Sequence, residues 1–341
     1  MNTLGRLLRI SIFGESHGEC VGIVIDGCPP GLHLSASDLI FDLERRKGSQ
    51  RKIGTTSRIE ADVPLIKTGI FNGRTTGAPI LIMFENKDVD SKMYEKLKDN
   101  PRPGHADLVA KQKFDGFNDY RGTGHFSGRL TIGLVAAGVI AKKIIAKKLL
   151  KNAKNVKIKA TIIEVGGIKN IKKESIKKAI DHAVKKNDSV GGIIECRISG
   201  LPCSLGEPFF DSAESLISHA IFSIPGVKGI EFGSGFKCAS MYGSECNDEI
   251  IDIKGKTKTN NAGGINGGIT NGNDVVFRIA IRPTSSISKI QNIIDLKTGK
   301  ISKISIEGRH DRCIALRIPV IVEAISALVF ADLMLLNENV R

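Results

Sequence analysis

Residues 121–151 read RGTGHFSGRLTIGLVAAGVIAKKIIAKKLLK, and the pattern changes character at Ser127. After it, apolar residues run almost without interruption and give way to paired lysines, which suit the negative end of a helix dipole, so the stretch predicts a helix over Ser127–Lys151. Before it, Gly122 and Gly124 make an entry loop. Working outward, Leu4–Phe13 and Gly22–Asp26 read as strands joined by Gly14–Gly18, and Pro29, Pro30 and Gly31 form a turn. Ser35–Arg46 reads as a helix capped by Ser35 or Ser37. Thr56–Gly69 and Ala78–Phe84 read as strands, and Asn86–Asp107 as a polar loop. Beyond the long helix come a strand near Lys157–Val165, a helix near Ile171–Lys186, a strand at Gly192–Ile198 and a helix near Ser212–Ser223. A Gly/Asn-rich loop over Asn260–Asn273, a strand at Asp274–Ile281 and a mostly apolar helix at Pro319–Asn337 follow. The mixture is α+β. With no repeat and no low-complexity linker, residues 1–341 are expected to form a single intertwined domain.

The chain has 341 residues, 41% hydrophobic and 25% charged, which matches ordinary globular usage and excludes extensive disorder, collagen-like sequence and coiled coil. Its apolar runs are broken by Lys142 and Lys143, and near the C-terminus by Arg317, Glu323 and Asp332, so no membrane span is expected. The N-terminus lacks the apolar run of a signal peptide, and a cytoplasmic protein is expected. Seven cysteines form an odd set with no CxxC pair, which indicates neither a disulfide framework nor a metal site. The net charge is +14, of which +11 falls in Ala141–Asp188. Those lysines recur with helical spacing, as on amphipathic helices with solvated faces, and the stretch has no aromatic residue on which a base could stack. Nucleic acid is therefore not the expected partner.

Several short segments carry chemistry. Gly14-Glu15-Ser16-His17-Gly18 fits G-x-S-x-G, the nucleophile elbow of serine hydrolases, but a strand follows where the elbow needs a helix. A hydrolase using Ser16 is the alternative reading. Glu44-Arg45-Arg46-Lys47 with Arg51 makes a dense cationic segment; guanidinium forks suit carboxylate and phosphate, and a solvated charge run is the plain alternative. Arg102-Pro103-Gly104-His105-Ala106-Asp107 sets a histidine in a polar loop, a poor place for a core residue. Arg121 to Arg129 feeds directly into the long helix, whose free N–H groups favour an anion, and its glycines do not fit the dinucleotide G-x-G-x-x-G. Gly263–Gly272, followed by Arg282-Pro283-Thr284-Ser285-Ser286, supplies glycines, hydroxyls and a cation suited to a phosphate. Gly308-Arg309-His310-Asp311 adds a carboxylate able to relay a proton.

Taken together, FGESHG, the arginine-rich helix end, RPGHAD, RGTGHFSGR with its helix, and NNAGGINGGI through RPTSS to GRHD resemble the chorismate synthases, in the same order and from Leu4 to about Leu335. The resemblance implies a β-α-β sandwich with helices between antiparallel sheets, and a homotetramer. It implies a lyase that converts 5-enolpyruvylshikimate 3-phosphate to chorismate and phosphate with reduced FMN and no net redox change. By position, His17 would be the acid for the departing phosphate, His105 would protonate the reduced flavin near N1, and Asp311 would relay the proton at N5, with Ser16 and Ser127 supporting. Arg46, Arg51 and Arg129 would hold substrate, the first two also a nicotinamide phosphate where NADPH reduces the flavin in the same protein; a separate flavin reductase is the other route. His125, Phe126, Ser127, Gly267, Arg282, Pro283, Thr284, Ser285, Ser286 and Arg309 would hold FMN. The chain departs from the family pattern at Arg282, where lysine is usual, and at Pro225-Gly226, where Asn-Ala often contacts flavin.

Overall fold

Val21, Ile23 and Ile25 alternate along one strand and are completely buried, which fixes its register: Ile23 lies opposite Ile12 on one neighbour and Ile82 on the other. A one-residue slip would turn all three to the opposite face. The computed structural model describes residues 2–47, 61–87, 89–149, 155–169, 171–306 and 310–340. Strands β1 (Thr3–Leu4), β2 (Arg9–Gly14) and β3 (Cys20–Asp26) precede helix α1 (Ala36–Arg46) and β4 (Leu65–Ile66). The hairpin of β5 (Ile70–Phe71) and β6 (Arg74–Thr75) leads to β7 (Ile80–Glu85). Helices α2 (Lys92–Leu97), α3 (Asp107–Lys113) and α4 (Thr131–Leu149) follow, then β8 (Lys157–Val165), α5 (Lys173–Lys185), β9 (Gly192–Ser199), α6 (Ala213–Ile221) and β10 (Val227–Phe232). After α7 (Gly243–Cys246) come the hairpin of β11 (Ile265–Asn266) and β12 (Ile269–Thr270), then β13 (Val275–Ile281). A hairpin of β14 (Gln291–Ile294) and β15 (Ile301–Ile304) leads to α8 (Pro319–Val340).

Two antiparallel sheets, in the orders β1-β2-β3-β7-β4 and β10-β13-β9-β8, enclose the helices. Helix α4 lies on β3 and against α8, which in turn packs on β8 and β9. A helix apolar all round belongs inside, as the continuously buried stretch 131–141 of α4 and most of α8 show. By length and composition Pro319–Glu338 could cross a membrane, yet 89% of its most apolar window is buried within the protein. The two helices touch backbone to backbone: a Cβ on Gly138 would sit 2.3 Å from the Ala324 Cβ.

The structure redraws some expected elements. The expected strand Leu4–Phe13 is instead a hairpin, with Thr3 opposite Ser11 and Leu4 opposite Ile10, and Asp332 on α8 accepts the amides of Arg6, Leu7 and Leu8 in its turn at 2.8–2.9 Å. Of Thr56–Gly69, residues 56–60 lie outside the described part, and only Leu65–Ile66 pair with β7. The expected loop Asn86–Asp107 contains α2, and Asn260–Asn273 contains the β11–β12 hairpin. The long helix begins four residues late: Ser127 caps a short 3-10 turn before α4 starts at Thr131. Lys142 is not on a solvated face but reaches Asp42 at 2.7 Å and Glu323 at 3.7 Å between α1 and α8.

Candidate active site

The segment 121–131, where backbone leaves the surface and enters α4, is the hub. Ser16, 1% exposed, donates its amide to the Gly124 carbonyl at 3.1 Å, so the turn after β2 is pinned to this hub. His125 Nδ1 donates to the Gly14 carbonyl at 2.8 Å from the same side. His17 follows in the turn: its Nδ1 is 2.8 Å from Ser91 Oγ and its ring meets Tyr94 edge to face at 5.1 Å. Gly122 lies directly against that ring. It has φ +55°, and a Cβ there would fall 2.2 Å from the His17 Cδ2. Gly122→Ala is therefore expected to displace the imidazole and lower turnover by up to about 100-fold, the scale of an ångström-sized misplacement. Steady-state rates beside a circular dichroism spectrum would check this; wild-type turnover would show that His17 need not stay in this pose. The Ser16 hydroxyl has no elbow around it, since β2 turns back into β3 and the residue is buried, and the hydrolase reading falls.

Arginines gather at the start of α4. Arg46, the last residue of α1, is buried; its Nε donates to Thr131 Oγ1 at 3.0 Å and its Nη2 to the carbonyls of Gly128 and Arg129 at 2.8 and 3.2 Å. Arg129 donates to Asn86 Oδ1 at 3.1 Å and is ion-paired with buried Asp62, whose other oxygen is 3.9 Å from Arg46. Arg317 donates to the Arg46 carbonyl and, at 3.0 Å, to Asp311, which ties the GRHD segment to the hub. Burial first, then the charges of Arg317 and Arg129, push the Arg46 guanidinium down to about 9. Such a crowd of desolvated cations is suited to a polyanion.

A second cluster centres on Arg102, which is buried. It grips Asp107 through Nε and Nη2, both at 2.7 Å, and donates to Ser286 Oγ at 2.9 Å and to Thr123 Oγ1 on the hub at 3.1 Å. His105 Nδ1 is 2.8 Å from Asp107 Oδ1, an aspartate–histidine pair that orients the ring. Burial would raise the Asp107 carboxyl, but Arg102 and His105 outweigh it and hold it well below the usual range. Ser285 donates to the Gly104 carbonyl at 3.1 Å and accepts from Arg282, whose amide donates to the carbonyl of Gly226 at 2.9 Å. His310 lies within the field of Arg102 and His105.

Burial, with Arg102 adding to it, lowers both His105 and His310, the latter to about 4. In the unfolded chain both would take up protons near the ordinary 6.5, so unfolding binds protons below that value. Stability is expected to be full above pH 6.5 and to fall progressively as pH drops towards 4. Thermal midpoints across that window would test it; a flat profile would contradict the buried, neutral histidines.

The structure thus brings Ser16, His17, Arg46, His105, His125, Ser127, Arg129, Arg282, Thr284, Ser285, Ser286 and Asp311 around one hub, with Phe126 half exposed against Phe114 and Pro283 between Arg282 and Thr284. Gly267 is not among them. It is the turn of the β11–β12 hairpin, which is tied to residues 205 and 213 instead. Arg51 and Arg309 lie outside the described residues. Sequence reasoning passed over Arg102 and Asp107, which stand in the quoted RPGHAD; it also missed Asp62, Asn86 and Arg317, for which short motifs give no signal.

An α+β sandwich whose inner helix starts in a nest of buried arginines and two histidines defines an enzyme acting on a polyanion. A family model for chorismate synthase matches residues 8–335. The chain is 55% identical to the chorismate synthase of Chitinophaga pinensis over 339 residues, 99% of this chain and 98% of that one. It is 47% identical to that of Pyrococcus abyssi over 355 residues, covering 98% of each. A solved structure described as the crystal structure of chorismate synthase superposes with a TM-score of 0.75 at 26% identity, covering 98% of this chain and 93% of that one. The chain belongs to the chorismate synthase family.

Proposed function

We propose that this hub carries out the family's reaction, elimination of phosphate and a ring hydrogen from 5-enolpyruvylshikimate 3-phosphate to give chorismate. The observation that carries the reading is the convergence of His17, Arg46, Arg129 and the Arg102–His105–Asp107 cluster on residues 121–131. Flavin fits the second cluster: Thr284 Oγ1 and His310 Nε2 are buried there without a hydrogen-bond partner among the described residues, as groups awaiting a polar ligand would be. When bound, reduced FMN supplies the transient electron that loosens the bond to phosphate and accepts the ring hydrogen, with no net redox change.

The chain's own groups do the rest. His17, steadied by Ser91 and Tyr94, holds a proton for the leaving phosphate, and Ser16 keeps its turn in place. Arg46 and Arg129, with Arg51, bind the anionic substrate; Arg46 and Arg51 also serve the phosphate of NADPH where that is the flavin reductant. His105, aligned by Asp107, would relay a proton to the flavin N1 edge through its other ring nitrogen, and Asp311, oriented by Arg317, would handle the proton at N5 with Ser127 in support. His125 to Ser127, Arg282 to Ser286 and Arg309 cradle the flavin, and the protein assembles as a homotetramer. The protein works in the cytoplasm. Anaerobic phosphate release from the enolpyruvyl substrate, with and without chemically reduced FMN, tests the reading: release only with reduced FMN supports it, and release without flavin overturns it.

A further inference from the structure

We propose that His310 is a flavin ligand in its own right, its Nε2 making a hydrogen bond to the polar edge of the bound isoalloxazine ring. The inference rests on the flavin reading above and deepens it by naming the part of the cofactor that the unmatched His310 nitrogen meets. His310 stands beside Asp311, and its Nε2 is fully buried with no hydrogen-bond partner among the described residues. A buried, unmatched ring nitrogen is a cost to the empty protein that a ligand removes on binding. Its neighbours narrow the ligand. Arg102 and His105, which contribute to its electrostatic surroundings, are already committed to Asp107, Ser286 and Thr123, so neither satisfies the imidazole. Held down to about 4 by burial and Arg102, His310 stays neutral in use. A neutral imidazole suits the carbonyl and N–H edge of a flavin ring, whereas the flavin phosphate calls for cations such as Arg282.

Two opposed readouts test this. His310→Leu removes the unmatched nitrogen, so the flavin-free protein is expected to keep its thermal midpoint or gain about 1–3 °C. The same variant is expected to bind FMN roughly five- to tenfold more weakly by fluorescence titration with saturating substrate, one hydrogen bond's worth. His310→Gln, which returns a polar group near the Nε2 position, should recover affinity to within about threefold. Riboflavin, which lacks the phosphate, should show the same loss. A lower midpoint with unchanged FMN affinity would make His310 a structural residue and overturn the proposal, as would a loss confined to FMN and absent with riboflavin. Wild-type protein that fails to bind FMN would overturn the flavin reading itself; wild-type binding matched by the leucine variant would overturn only the role of His310.

Discussion

Alanine in place of His17 is expected to lower turnover by about 10²–10⁴-fold, the usual cost of losing a general acid, while the chain stays folded. The phosphate leaving the ring carries developing charge, and His17 is the imidazole on the turn held against the hub. Ser91 at Nδ1, the edge of Tyr94 and the bare Cα of Gly122 help to hold it there. None of them is part of the sheet ladders or the helix core, so their loss should leave secondary structure and thermal midpoint close to wild type. Single-turnover phosphate release under anaerobic conditions, read beside substrate binding, isolates the effect. A variant that binds substrate normally and turns over at the wild-type rate would discard the acid role. Ser91→Ala should give a milder loss in the same direction, because it frees the ring without removing it.

A stability loss of about 2–4 kcal/mol is expected for Glu323→Ala, below the full cost of breaking a buried ion pair because Arg45 is one-third exposed. Glu323, 3% exposed on α8, takes both arms of Arg45 at 2.6 and 2.8 Å and the Ala160 amide at 3.1 Å, with Lys142 at 3.7 Å. Without it, Arg45 and Lys142 share Asp42 alone, and a β8 amide in the core loses its acceptor. Denaturant titration should show a lower midpoint with the slope unchanged. A loss under about 1 kcal/mol would mean that water or a neighbouring group replaces the carboxylate. Because Arg46 follows Arg45 directly, the same variant should also weaken substrate binding.

Sequence pattern disclosed the elements whose cause is local. Short apolar runs bounded by turn residues marked β3 and β7, and Ser35 or Ser37 marked the start of α1, where the Asp38 carboxylate accepts the Ser35 amide at 2.8 Å. Continuous apolarity marked α4 and α8. What it missed has distant causes. Nothing near Arg6 foretells that Asp332 will claim three amides, and Lys142 looks solvated until Asp42 and Glu323 are placed beside it. β10 is held by its register against β13, with Ile230 opposite Ile279, a pairing fixed by tertiary contact. In the site, motifs pointed to His17, His105 and Asp311. Their holders Ser91, Asp107 and Arg317 were overlooked, because orientation is a property of three-dimensional neighbours.

The grip of Asp332 on residues 6–8 also sets an order of events during synthesis. The edge of the first sheet is made early, yet the carboxylate that shapes it emerges from the ribosome more than three hundred residues later. Until then those amides lack their carboxylate acceptor, and the turn that joins β1 to β2 is unsecured. Maturation of this fold is therefore post-translational and slow, as expected where contacts span great sequence distances. A nascent chain stalled before α8 should remain protease-sensitive at its very first strands.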